Sequence, residues 1–440
     1  MYVLPLLVLM LVALGISLTK NGIGSFVTLG ILGAAIYTVP ALIGIQASLA
    51  TVSSAHRGYV PVPTQSQFVV LMAWLGLMVG LFASIFVFPK RPDAAQLGVS
   101  DRDIRFVAIA SAVLGMMGFF YFAYAQGAFF YLRERVDQDV GAAWLLWRWT
   151  PLVGIVASAY TAQRKVLLVN VFVLFIIFLT GDRTLVAIAT AALIAVASER
   201  RPGWWKRLKP IQVTGFGIGA LVVFFGKSAY LVMKSGFSGQ GWSMLRLSFK
   251  DQFLFQFEPL GTFSHLSYVM TVGLKIPPGE FLASVFGNLL LVPSAFGIST
   301  NVYNATVTET LSPKLGYGVA GNFMAHGYTV GSTAGAVFFY FLLPLIFTLC
   351  DRQFHTRTGV TKIFWCTIGA VFAFYIHRNG MDNQLSFVRQ LFIVCVGTGL
   401  IALAFRQLAG GGPAVPARGF QIRRRPRDDE FALHGPGTKG

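Results

Sequence analysis

The sequence predicts an all-α polytopic membrane protein with about eleven transmembrane helices, and two observations carry the prediction. Of 440 residues, 55% are hydrophobic and only 12% charged, with a mean hydropathy of +0.66. Apolar runs long enough, or nearly long enough, to cross a bilayer recur along most of the chain. The net charge of +18 is carried largely by residues between those runs, which points to membrane-flanking charge and excludes a soluble nucleic-acid-binding patch. The three cysteines, Cys350, Cys366 and Cys395, lie in apolar or membrane-edge segments without paired spacing. They imply neither a disulfide framework nor a zinc site.

The opening "MYVLPLLVLMLVALGISLTKNG" has no basic residue before its apolar core, and its first Lys, Lys20, follows it. A cleavable signal peptide has the reverse order, so this is a first membrane helix with its N-terminus outside. Further spans are expected near 24–46, 67–88, 104–130, 144–162, 166–180, 184–198, 211–225, 332–349, 362–377 and 384–405. Threaded this way, 22 of the 35 Lys and Arg residues fall inside, so the C-terminus is cytoplasmic. The chain divides into helices 1–8 over 1–225, a large outer loop over 226–331, helices 9–11 over 332–405 and a basic tail over 406–440. Rich in Gly and Pro, that tail reads as a disordered extension near anionic lipid.

The outer loop is too apolar to be an ordinary hydrophilic domain. "MLRLSFKDQFLFQFEPLGTF" mixes Arg246, Lys250 and Asp251 with five Phe, as expected of an amphipathic segment in the headgroup plane. "PPGEFLASVFGNLLLVPSAF" starts with helix-compatible Pro and Glu but has about twelve apolar residues, too few to cross ~30 Å of hydrocarbon. A membrane-hugging lid is the expectation.

The hairpin at 166–198 raises a different problem. Each arm reaches only about 22 Å at ~1.5 Å per residue, so "TGDRT" at its tip should lie below the outer surface. An ionised side chain at that depth costs ~3 kcal/mol or more and marks a functional site. Asp182 and Arg183 are adjacent and point in different directions, so they are not a natural neutralising pair. Sodium or proton sites need clustered carboxylates, of which the spans have almost none. A phosphate or pyrophosphate on a lipid suits a planar, permanently charged guanidinium. In "FAFYIHRNGMDNQLSFVRQLFI", Arg378 at the outer end of span ten and Arg389 near the start of span eleven share this depth. Three arginines then form an expected anion cradle.

These features together resemble the Wzy-type O-antigen polymerases, or oligosaccharide repeat unit polymerases, over residues 166–405. The resemblance rests on the hairpin broken at "TGDRT", the long outer loop, "GNFMAHGYTVGSTAGAVFFYFLLPLIF" and the arginine of "HRNGMDNQLSF". In the family, the segment before span nine commonly reads Ala-Glu, then Tyr, then two glycines. Ala325, Tyr328, Gly331 and Gly335 fit, while His326 stands where Glu is usual. The related O-antigen ligases carry a His near their equivalent span, with longer spacing to the glycines.

The resemblance implies a GT-C-like glycosyltransferase in the bacterial inner membrane with its active site facing the periplasm. Its donor and acceptor would both be undecaprenyl-pyrophosphate-linked oligosaccharides, and partners would include membrane lipids and a chain-length regulator but no nucleic acid. Transfer would need no cofactor or metal, since arginines would neutralise the departing pyrophosphate. On this reading His326, Arg183 and Arg378 are catalytic, and Arg246, Tyr328, Arg389 and Asp382 bind substrate. His326 would accept the proton of the attacking sugar hydroxyl, with Glu309, Asp382 and His377 as rival bases. An O-antigen ligase, or a flippase or transporter of lipid-linked oligosaccharide, is the alternative. Against a transporter, the first half has no second "GDRT"-like break.

Overall fold

The computed structural model describes residues 2–48, 58–88, 101–132, 141–212, 257–291, 293–300, 302–311 and 321–408, with a few single positions between 213 and 256. The tail from 409, about half of the span expected at 211–225 and most of the amphipathic segment at 244–256 lie outside the described residues. Those described are predominantly helical. Helices α1 (Val3–Asn21), α2 (Phe26–Ile43), α3 (Thr64–Val87), α4 (Asp101–Gln126), α5 (Gly141–Tyr160), α6 (Arg164–Leu179) and α7 (Thr184–Arg200) come first. Then follow α8 (Glu258–Val272), α9 (Pro278–Leu289), α10 (Val302–Leu311), α11 (Phe323–Thr356), α12 (Gly359–Tyr375) and α13 (Met381–Leu408). A short hairpin, β1 (Ile45–Ala47) antiparallel to β2 (Tyr59–Pro61), links α2 to α3.

Among the described residues, seven helices are long and apolar enough to cross a membrane: α1, α2, α3, α4, α11, α12 with its following turn, and α13. This is a multi-pass membrane protein. Its outward surfaces carry large apolar side chains such as Leu4, Leu11, Val79, Phe86, Met117 and Leu400. Lipid explains their exposure, because large side chains of this kind are seldom turned to water in such numbers. The expected count of eleven differs partly because α6 and α7, with 16 and 17 residues, are short of a full crossing.

Sequence explains the closest helix pairing. Along α3, Gly76 and Gly80 lie one turn apart, and a Cβ at Gly76 would come within 2.5 Å of the Val337 carbonyl oxygen. Gly80 faces the Phe341 carbonyl more tightly still. Small residues at four-residue spacing let two backbones touch, which is how helices associate where the hydrophobic effect gives no drive. Within α11 the chain breaks at Gly331 and Ser332, with Ser332 in the left-handed region at φ 54°. The short first segment folds back, so a Cβ at Gly327 would meet the Gly335 carbonyl oxygen at 2.7 Å. The glycines of "HGYTVGSTAG" are thus needed for a tight reversal.

The bundle has two consistent ends. At one, Asp351 accepts hydrogen bonds from the Phe26 and Val27 amides at 2.9 and 3.3 Å, capping α2 from a distant helix. Lys362 Nζ meets Glu199 Oε1 at 2.6 Å at that same end. The opposite end gathers the β-hairpin, the α6–α7 turn, α8 and the turn before α13. Helix α8 is buried against α2, with Ser267 donating to Gln46 at 2.7 Å and touching Ser66 at 2.9 Å. The part of the expected surface amphipathic segment that is described, 257–263, therefore lies inside the fold, where Glu258 pairs with Arg378 and Thr262 bonds back to the Glu258 and Pro259 carbonyls.

Helix α9 behaves differently. It buries Ser284, Gly287 and Asn288 against the protein and turns Leu282, Phe286 and Leu289 outward. That inverted amphipathicity fits an apolar surround, and its 12 residues span only about 18 Å.

Candidate functional site

The α6–α7 turn shows how the chain brings charge to the buried end. Gly181 takes φ 95°, which ends α6 in a conformation costly to other residues, and Arg183 stands at the N-cap of α7. Between them, Asp182 turns inward and is 7% exposed. Its partner is Arg148 of α5, whose Nε lies 2.5 Å from Asp182 Oδ2. The Arg148 guanidinium also lies over the Phe387 ring, 5.5 Å from its centre. This buried pair fastens the turn to the bundle and leaves Arg183 to point elsewhere.

Arg183 lies in the electrostatic reach of Glu258, Arg378 and Tyr37. Arg378 is carried by the helical turn Ile376–Arg378 between α12 and α13. It donates from Nη1 to Thr184 Oγ1 at 2.7 Å, lies 5.4 Å from the Tyr375 ring centre and forms an ion pair through Nε with the Glu258 carboxylate. Four elements thus meet: α2 through Tyr37, the start of α7 through Arg183 and Thr184, the start of α8 through Glu258, and the turn bearing Arg378. Two helix N-termini at this spot add partial positive charge to the two guanidiniums. Chemically this arrangement can hold an anion, and one carboxylate, Glu258, is already paired with it.

A second cluster sits on the same turn. His326, in the first turn of α11, is 1% exposed and stacks on Tyr303 with ring centres 4.5 Å apart and 11° between planes. Phe281 and Phe339 close its edges at 5.4 and 5.3 Å. Its Nδ1 accepts the Met381 amide at 3.0 Å, which puts the neutral ring's proton on Nε2. Asp382 accepts from the Tyr303 and Asn383 amides at 3.0 and 2.9 Å. The Tyr303 oxygen in turn accepts the Asn322 amide at 3.4 Å, and burial, reinforced by Asp382, pushes its phenol pKa up so that it stays protonated. Gly380 is forced, since a Cβ there would lie 2.6 Å from His326 Nδ1.

The expected site residues therefore separate. Arg183 and Arg378 come together, while Arg389 is bonded to the Leu290 carbonyl at 3.3 Å and Ser386 Oγ at 3.2 Å, beside the end of α9. Two of the three arginines meet, because Arg389, about two turns into α13, is carried to a different neighbour. Asp382 and His326 adjoin each other, with 3.9 Å between Oδ1 and Nδ1, and both are engaged in holding the turn. His377 is buried against the Gly30 carbonyl at 2.9 Å. Tyr328 packs half-buried on the core, Glu309 is exposed, and Arg246 lies outside the described residues. Among the described residues, no group of three or more His, Cys, Asp or Glu side chains could hold a metal ion.

Three contributors were missed from sequence. Arg148 in "LLWRWT" is as unusual inside an apolar run as Arg183, and the same cost argument could have flagged it. Glu258 could have been noticed as the acidic residue directly before a helix-starting Pro. Nothing local marks Tyr37. Comparison of the chain with family models, curated proteins and solved structures finds no match.

Proposed function

We propose that this protein polymerises polyprenyl-pyrophosphate-linked oligosaccharide units by glycosyl transfer at the end of the bundle that carries Arg183 and Arg378. The observation that carries the reading is the convergence of these two arginines beside a break between two short helices, a pair of cations suited to a lipid-borne pyrophosphate. The motif resemblance over 166–405 supports the same reaction. In it, an acceptor sugar hydroxyl attacks the anomeric carbon of the donor glycan, the bond from that carbon to the pyrophosphate oxygen breaks, and the lipid pyrophosphate leaves, the hydroxyl's proton passing to the departing pyrophosphate or to solvent. The arginines stabilise the negative charge that develops on the leaving group.

His326 takes a positioning role in this reading. With Nδ1 occupied by the Met381 amide and Nε2 protonated, the resting ring has no lone pair to offer a hydroxyl. It holds the turn from which Arg378 projects. The test is turnover of a defined undecaprenyl-pyrophosphate repeat unit by purified protein in vesicles, with products separated by size. A ladder of multiples is expected. One transfer to a different acceptor would instead identify a ligase, and movement of intact substrate across the vesicle wall without bond formation a transporter.

A further inference from the structure

The Glu258 carboxylate occupies the place where the arginine pair would take an anion. It is ion-paired to Arg378 and its charge also reaches Arg183, while Asp182 on the neighbouring turn is paired with Arg148. The two guanidiniums carry two positive charges and Glu258 supplies one negative charge. A pyrophosphate, with at least two, neutralises the pair better.

We propose that Glu258 is a built-in stand-in for the ligand's phosphate, and that binding and release proceed by exchange of carboxylate for phosphate on Arg378. The inference rests on reading the arginine pair as a phosphate site, and it does not depend on glycan transfer. Exchange is feasible for three reasons. The Glu258 side chain is 30% exposed, so water reaches it as it leaves Arg378. It lies in the first turn of α8, where unsatisfied backbone N–H groups and the helix dipole favour a carboxylate that has left its partner. Pro259 and Leu260 are buried and the far part of α8 is held by Ser267 to Gln46 and Ser66, so the helix stays docked while the Glu258 side chain swings away and its ion pair opens.

The consequence is autoinhibition: the empty site is closed by its own charge, and product leaves as Glu258 returns. In the purified full-length protein, Glu258→Gln should bind inorganic pyrophosphate about ten-fold more tightly than the parent, because a competing anion is gone. Arg378→Gln should lose that binding. In the unaltered protein, pyrophosphate should speed amide hydrogen exchange in the first turn of α8 and leave exchange around Ser267 unchanged. Undecaprenyl pyrophosphate in vesicles should do the same if the natural source is a lipid. Equal or weaker pyrophosphate binding by Glu258→Gln, no binding to either protein, or slower exchange at 258–262 would each overturn the proposal. Failure of the polymerase reading alone would leave these binding results intact and show only as absent chain growth.

Discussion

At the scale of single residues, Arg148 has the largest expected effect on folding. It is buried with Asp182, and removing one member of such a pair strands a charge where water cannot reach it. Arg148→Met should cost ~3–5 kcal/mol, whereas Arg148→Met with Asp182→Leu should recover most of it. Thermal unfolding in detergent measures both, and a single variant as stable as the parent would mean that the pair holds nothing. Arg183 should behave in the opposite way. Arg183→Ala should leave stability close to parental but lower polymer formation by about 10²- to 10³-fold. Arg183→Lys should restore little, since a point charge cannot reproduce a two-pronged contact. Parental turnover by Arg183→Ala would remove it from the site. The placement of Arg183 and Arg378 at one end of the bundle was legible from sequence because charge is rare in apolar runs. The bonding of His326 was not, because which ring nitrogen is engaged depends on the Met381 amide, which arrives from 55 residues away.

Helix packing is where glycine spacing becomes an energetic statement. Gly80→Leu would drive a side chain into the Phe341 carbonyl, against backbone that cannot swing aside. The pairing of α3 with α11 should open, and the protein should lose folded yield or melt well below the parent. Leu75→Ala, on the exposed side of α3, is the control that should change little. A Gly80→Leu protein with parental stability would show that the two backbones do not need to touch. The helices themselves were visible in the sequence, since ~20 apolar residues in a row have few alternatives. The break in α11 was visible only as a segment boundary near 331. The fold-back that Gly327 and Gly335 permit depends on two backbone surfaces meeting, which hydropathy does not encode. The burial of α8 was hidden for a related reason: Ser and Thr look polar in a list but satisfy themselves locally inside a helix.

For the whole molecule, the alternation of helix ends makes a topology that can be tested. The ends bearing Lys362 and Arg378 should face opposite compartments, with the basic Lys362 end in the cytoplasm. Ser299→Cys in the Cys-free protein should be labelled by an impermeant thiol reagent from the periplasm, and Arg201→Cys only after the membrane is opened. Labelling of both from one side would overturn the arrangement. The shortness of α6 has a further consequence. This helix presents Leu168, Val171, Phe172 and Phe175 outward, so it meets lipid directly with only about 24 Å of length. Surrounding acyl chains must then compress or tilt to match it, at fractions of a kcal/mol per Å. On the proposed reading, a leaflet dimpled in this way beside Arg183 would let a phosphate headgroup descend toward the guanidinium without leaving its own layer. The bilayer would then be an elastic component of that site, its thickness tuning how often a headgroup arrives.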